Sequence, residues 1–259
     1  MTRALIGGLC QPALGLDPQN IKVFDRNPPK NEALKSDFAI HVSPSPMALA
    51  ADCDVLIVSV RPQGVTALLH DLAGPIAEKK PLILSVAAGI TLDTLEQSLP
   101  ANTAVIRTMP NMPSIINQGA TGLLANHHAS EAQKHLAESL MNAVGSSVWV
   151  NDDAQMNAVT ALSGSGPAYG LLLAQAMMEA GEQLGLSPDA ARSLAIQTCQ
   201  GTAQLMATSE HSVTDLIEHI CSPNGTTERA VGVFRQEGFN ELVARALKAA
   251  YERAEALSR

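Results

Sequence analysis

Asp54-Val55-Leu56-Ile57-Val58-Ser59-Val60 is an almost unbroken apolar run of strand length. A strand with one wet face alternates apolar and polar residues, whereas a strand covered on both faces stays apolar throughout. A second such run, Pro81-Leu82-Ile83-Leu84-Ser85-Val86, follows a helical stretch from Val65 to Ile76. Ala104-Val105-Ile106-Arg107 is a third strand, reached through a helix from Leu92 to Leu99. Strands alternating with helices across short loops predict an α/β fold with a parallel, doubly wound sheet. Working outward, residues 2–10 read as a helix, Asn20 to Asp25 as a strand and Lys30 to Lys35 as a helix. Phe38 to Val42 reads as extended and Met47 to Asp52 as helical. On the other side, Ala120 to Leu124 and Ser147 to Val150 read as strands around a helix from Ser130 to Val144.

After Asn151 the texture changes. Ala, Leu and Met recur at helical spacing over 153–162, 168–184, 188–208, 212–220, 226–236 and 239–257, and no strand is read. The expected organisation is therefore an α/β domain over residues 1–150 and an all-helical domain over 151–259.

Composition narrows the partners. A formal net charge of −8 and 3% aromatic residues leave neither a basic footprint nor a stacking platform for nucleic acid. No apolar run reaches the length of a membrane span, and the N-terminus lacks a secretory core. Cys10, Cys53, Cys199 and Cys221 stand far apart, which argues against a disulfide framework or a structural zinc and for buried thiols in a reducing cytoplasm. The seven histidines show no metal-ligand spacing, so no metal is expected. No Ser-His-Asp or Cys-His set is supported either, so an enzyme of this sequence takes its chemistry from a cofactor.

In doubly wound sheets ligands lie beyond the carboxyl ends of the strands. Those ends carry Arg26-Asn27, Ser59-Val60-Arg61-Pro62-Gln63, Ala88-Gly89 and Met109-Pro110-Asn111. Two further loops precede helices. In Ser163-Gly164-Ser165-Gly166-Pro167 the glycines allow close approach of another surface, and Pro167 suits a first helical turn. Ser222-Pro223-Asn224-Gly225-Thr226-Thr227 gathers hydroxyls and helix-start N–H groups, as a small carboxylate requires; the plainer reading is a helix start capped by Thr226 or Thr227. Asp152-Asp153 reads as the charged start of a helix, and Glu228 as solvated.

These motifs, in this order and over the whole chain, resemble those of the pyrroline-5-carboxylate reductases, with Val86-Ala87-Ala88-Gly89 and Met109-Pro110-Asn111-Met112-Pro113 included. The resemblance implies a Rossmann-type domain followed by a helical dimerisation domain, in homodimers that assemble further into rings of five. It implies hydride transfer from NADPH to the C=N carbon of 1-pyrroline-5-carboxylate, giving L-proline, the last step of proline biosynthesis. NADH is the alternative cofactor, since Asp25 stands beside the place of a 2′-phosphate. By the same resemblance Arg26, Asn27, Ser59, Val60, Arg61, Pro62, Ala88, Gly89, Met109, Pro110 and Asn111 hold the cofactor. Ser163, Gly164, Gly166, Asn224, Gly225 and Thr227 hold the substrate, and the hydroxyls of Ser165 and Thr226 are the candidates for proton delivery.

The sequence departs from the family pattern at its beginning. Thr2-Arg3-Ala4-Leu5-Ile6-Gly7-Gly8-Leu9 resembles the first helix alone, without the strand and glycine-rich turn that cradle a pyrophosphate. Either the chain starts late or it stands as written, and the second case would leave a catalytically inactive dimeric protein as an alternative. A β-hydroxyacid-type dehydrogenase is a further alternative, but that type needs a lysine on a C-terminal helix, and 168–184 contains none.

Overall fold

A computed structural model describes residues 1–12 and 16–258. The strands are β1 (Lys22–Val23), β2 (His41–Val42), β3 (Val55–Val58), β4 (Leu82–Ser85), β5 (Val105–Met109), β6 (Gly119–Ala125) and β7 (Gly145–Trp149). The helices of this part are α1 (Thr2–Leu9), α2 (Pro28–Phe38), α3 (Pro46–Asp52), α4 (Val65–Asp71), α5 (Ala73–Lys79), α6 (Leu92–Gln97), α7 (Glu131–Asn142) and α8 (Asp153–Val159). Those that follow are α9 (Gly166–Gln183), α10 (Pro188–Thr208), α11 (Val213–Ile220), α12 (Thr226–Gln236) and α13 (Phe239–Leu257).

Residues 1–165 and 250–259 form one compact unit and 166–249 another. In the first, β3, β4 and β5 pair in parallel, as the apolar runs predict. Their residues divide between two cores. Leu56, Val58, Ile83 and Val105 face Val65, Leu69 and Ile76, while Leu82, Leu84 and Ile106 face Leu5, Ala137 and Met141. Both faces are thus dry, which explains the absence of polar alternation.

The sheet differs from the expectation in two places. β6 runs antiparallel to β5, because the link over 110–118 holds only a 3₁₀ turn, Met112–Ile116. A parallel return needs a crossover of a dozen residues or more. β7 then pairs in parallel with β6 and closes that side. At the other side, β1 and β2 form a separate two-stranded sheet over its own small core of Ile6, Val23, Leu34 and Ile40. Among the described residues no strand pairs with both β1 and β3. The helix read over 65–76 is broken at Leu72, which ends α4 and caps α5. Pro75 has no N–H to give the Asp71 carbonyl, so the first helix ends there.

The second unit is α9 to α12 and most of α13. Only Ala191 and Ala195 are buried within it, while Leu171, Leu172, Leu184, Leu194 and Val233 stand more than half exposed. A helical unit that leaves its apolar side chains outside has its partner surface elsewhere. Among the described residues no helix is long and apolar enough to cross a membrane. The four cysteines are free and half-buried rather than core thiols.

Candidate active site

The strand-end row predicted from sequence forms in the first unit. β1 ends in a turn stitched by side chains. Asn31 donates to the Asp25 carbonyl and accepts from its N–H, both at 2.8 Å. The Asp25 carboxylate accepts from the Asn27 N–H at 2.8 Å and lies 3.6 Å from Lys30 Nζ. The acid that the family resemblance sets beside a 2′-phosphate is thus engaged by its own turn and by Lys30. Arg26 is exposed next to it, at the rim of a hollow formed with Phe24, Ser43 and Pro44.

Beyond β3, Ser59 is tied to the start of α1, its hydroxyl accepting from Thr2 Oγ1 at 2.9 Å. Arg61 and Val60 are exposed, and Pro62 begins a 3₁₀ turn. Beyond β4, Gly89 takes φ +74°, a conformation that favours glycine, and a Cβ there would stand 3.2 Å from the Leu257 carbonyl oxygen. The end of α13 therefore packs where Ala88 and Gly89 turn.

At the end of β5, Met109 and Asn111 meet the glycine-serine stretch directly. Asn111 is 8% exposed and spends its whole amide on backbone. Its Nδ2 donates to the Ser163 carbonyl at 2.9 Å, and its Oδ1 accepts from the Ala120 N–H at 2.9 Å. A Cβ on Gly164 would come 2.9 Å from the Met109 terminal methyl, so this glycine is needed for close approach. Gly166 is not: nothing lies within 4 Å of its Cβ position.

The stretch itself differs from the expected loop. Thr160–Gly164 is a π-helical turn continuing from α8, and the Ser165 N–H donates to the Thr160 carbonyl at 2.9 Å. That N–H is therefore not available to a ligand. The Ser163 hydroxyl donates back to the Val159 carbonyl at 3.0 Å. A π turn inside a helix widens the backbone locally and is frequent at functional sites.

The Ser222–Thr227 loop belongs to the second unit. Gly225 caps α12, not Thr226 or Thr227, which occupy the first helical turn with unpaired N–H groups. Asn224 sits at φ +57°, and a Cβ on Gly225 would meet the Ser222 carbonyl oxygen at 2.8 Å. Glu228, expected to be solvated, accepts from the Asn224 N–H at 2.8 Å and pins the turn. This turn leaves the first-turn amides of an eleven-residue helix and two threonine hydroxyls together, an arrangement suited to a carboxylate.

One charged group of this region went unread in the sequence. Arg107, 1% exposed inside β5, forms an ion pair with Asp153 at the start of α8. The same carboxylate accepts from the Leu92 N–H at the start of α6. Asp152, not Asp153, is the helix cap. The signal was present: a lone arginine within Val105-Ile106-Arg107 must be paired if its strand is buried.

Comparison with known proteins places this geometry. Residues 153–257 match the family model for pyrroline-5-carboxylate reductase dimerisation, and residues 1–89 match that for NADP oxidoreductase, coenzyme F420-dependent. The chain is similar to pyrroline-5-carboxylate reductase of Pseudomonas aeruginosa, 44% identical over 258 residues, covering 100% of this chain and 93% of that one. Its fold superposes on a pyrroline-5-carboxylate reductase of Coxiella burnetii with TM-score 0.95 and 39% identity, covering 100% and 95% of the two chains. A Plasmodium falciparum pyrroline carboxylate reductase crystallised with NADP shares the fold, with TM-score 0.84 at 24% identity, over 99% and 94% of the chains.

Proposed function

We propose a division of labour among the residues of this chain from one premise: it belongs to the pyrroline-5-carboxylate reductase family. It is an NAD(P)H-dependent oxidoreductase that reduces 1-pyrroline-5-carboxylate to L-proline, the closing step of proline biosynthesis, and it is a homo-oligomer. The bound dinucleotide supplies the hydride.

The strand-end row is suited to hold that dinucleotide, and the turn after β1 fits its adenosine end. Arg26 is exposed and makes no ion pair to another described residue, while Asp25 is already engaged, so a 2′-phosphate meets a cation rather than an anion. We therefore favour NADPH over NADH, with Arg26 and Asn27 at the phosphate and Ser59, Val60, Arg61 and Pro62 along the ribose and pyrophosphate. Ala88, Gly89, Met109, Pro110 and Asn111 are assigned to the nicotinamide side.

The observation that carries the substrate assignment is the Asn111 bridge, which locks the end of β5 to the Ser163 carbonyl. A cyclic imine is already electrophilic, so the protein's task is to hold the ring against the hydride donor and to deliver one proton to nitrogen. Ser163, Gly164 and Gly166 form the floor, and Asn224, Gly225 and Thr227 with the α12 amides receive the carboxylate. We assign proton delivery to the Ser165 and Thr226 hydroxyls, either of which can relay the proton from water. We assign residues 1–150 to the dinucleotide and 151–259 to dimerisation and substrate, with 151–165 and 250–259 packed in the first compact unit. Dimers assembling into rings of five, in the cytoplasm, complete the proposal.

The test is steady-state NADPH oxidation with 1-pyrroline-5-carboxylate. Thr226→Ala with Thr227→Ala is expected to raise KM for the imine about tenfold or more while leaving KM for NADPH within about twofold. An unchanged imine KM would sink the carboxylate role.

A further inference from the structure

The turn between β6 and α7 lies at the end of β5 opposite Met109. It runs Asn126-His127-His128-Ala129, closed by the Ala129 N–H on the Asn126 carbonyl at 3.3 Å. The two imidazoles occupy its central positions, with ring centroids 3.7 Å apart. Glu96, from the last turn of α6, comes against them, its Oε1 4.0 Å from His127 Nδ1. One ligand atom from each of Glu96, His127 and His128 lies within 4.8 Å of the others. They border a hollow of about 250 Å³ shared with Leu99, Asn102 and Thr103.

The carboxylate is held in place from beneath. Asn126 is 4% exposed and its amide is fully used. Nδ2 donates to Glu96 Oε1 and to the Thr103 carbonyl, both at 2.9 Å, while Oδ1 accepts from the N–H groups of Val105 (3.1 Å) and Ala129 (3.2 Å). A ligating carboxylate fixed by a buried hydrogen-bond partner is a recurrent arrangement in metal sites.

We propose that Glu96, His127 and His128 bind a divalent transition-metal ion of the zinc type. Two imidazoles and one carboxylate are a donor set for such an ion, leaving a fourth position to water. Calcium and magnesium take oxygen ligands and are not served by this set. Tetrahedral ligands with bonds of about 2.0–2.1 Å stand about 3.3 Å apart. The His127 side chain is 78% exposed and turns freely enough to close the remaining distance. The ion would staple α6 to the β6–α7 turn. Since it sits at the far end of β5 from Met109–Asn111, it stabilises the first unit without entering the reduction.

The test uses the full chain stripped of metal, with Zn²⁺ alone as the probe, read by equilibrium dialysis and thermal unfolding. Wild type is expected to hold one more equivalent of zinc than His127→Asn/His128→Asn, and to gain Tm on zinc addition where the variant does not. Glu96→Gln keeps the side-chain shape and is expected to weaken zinc about tenfold or more; it carries the test should the double variant fail to fold. Reduction rates of the metal-free chains are expected to agree. Four free cysteines make the difference between chains, not the total zinc, the deciding quantity. Equal zinc binding and equal Tm gain in wild type and both variants would overturn the site.

Discussion

Asn111 decides more than its size implies. Both ends of its amide are committed to backbone, one to Ser163, which we assign to the substrate floor, and one to Ala120 at the head of β6. Asn111→Ala strands a part-buried carbonyl and a part-buried N–H, a cost of about 1–2 kcal/mol. The expected outcome is a lower denaturation midpoint together with a loss of kcat/KM; normal kinetics in the folded variant would show that the bridge positions nothing. Arg26→Ala makes the opposite separation. It forms no ion pair with another described residue, so stability should hold while KM for NADPH rises and KM for NADH hardly moves, measured side by side. Residues such as Arg26 and Asn111 were legible as motif members because strand ends are where doubly wound sheets place ligands. The partners of Asn111 were not, since a hydrogen bond across fifty-two positions leaves no local trace. The same holds for Glu96 with His127 and His128: their sequence separation hides a donor set that the antiparallel β5–β6 pair brings together.

Elements were legible where periodicity or apolar continuity was strong, and less so where connection length ruled. The three buried strands, α1, α7 and the helices after 151 follow from pattern alone. The direction of β6 does not, because nothing in Gly119–Ala125 encodes it; the short link over 110–118 does. The glycine-serine stretch shows a subtler limit. Two glycines and two serines read as a loop, yet the backbone stays helical by widening to a π turn over Thr160–Gly164. Gly166, just beyond, has open space around its Cβ position. Gly166→Ala should therefore keep or raise Tm, by up to about 1 kcal/mol of helix preference. If the floor assignment is right, the imine KM rises in the same variant, so calorimetry and kinetics will move in opposite senses. α11 offers a pH test. The Ser212 hydroxyl and N–H hold the Asp215 carboxyl below its ordinary 3.8. A depressed folded pKa contributes stability that is present above 3.8 and fades as pH falls through the lower folded value. The stability difference between wild type and Asp215→Asn is thus expected to shrink in acid, below pH 3.8, and to be constant above pH 5 (about one unit clear of the transition).

For the whole molecule the deciding fact is how little residues 166–249 bury by themselves. Ala191 and Ala195 are covered, and Gly181 approaches Ala191 closely enough that a Cβ would stand 3.3 Å from its methyl, so α9 and α10 pack on small residues. Small-residue packing removes little apolar area from water, and each fully buried Leu or Val contributes about 1.5–3 kcal/mol that this unit forgoes. Leu171 at 70% exposure, Leu172 at 68% and Leu194 at 57% are the side chains left to supply it. In a homo-oligomer carrying a dimerisation segment over 153–257, a second copy is expected to cover them. Leu172→Asp combined with Leu194→Asp places charges where that copy would sit, and burying an unpaired carboxylate costs far more than the lost leucine contacts. Sedimentation should then show monomers at concentrations where wild type is assembled, and helical CD should melt at a lower temperature, because oligomer and fold are linked by mass action. The α/β unit has its own two cores on either face of β3–β5, so a second, separate melting step should keep its temperature. A double variant that stays assembled and melts as wild type would mean that these leucines face solvent in the assembly and that another surface joins the copies.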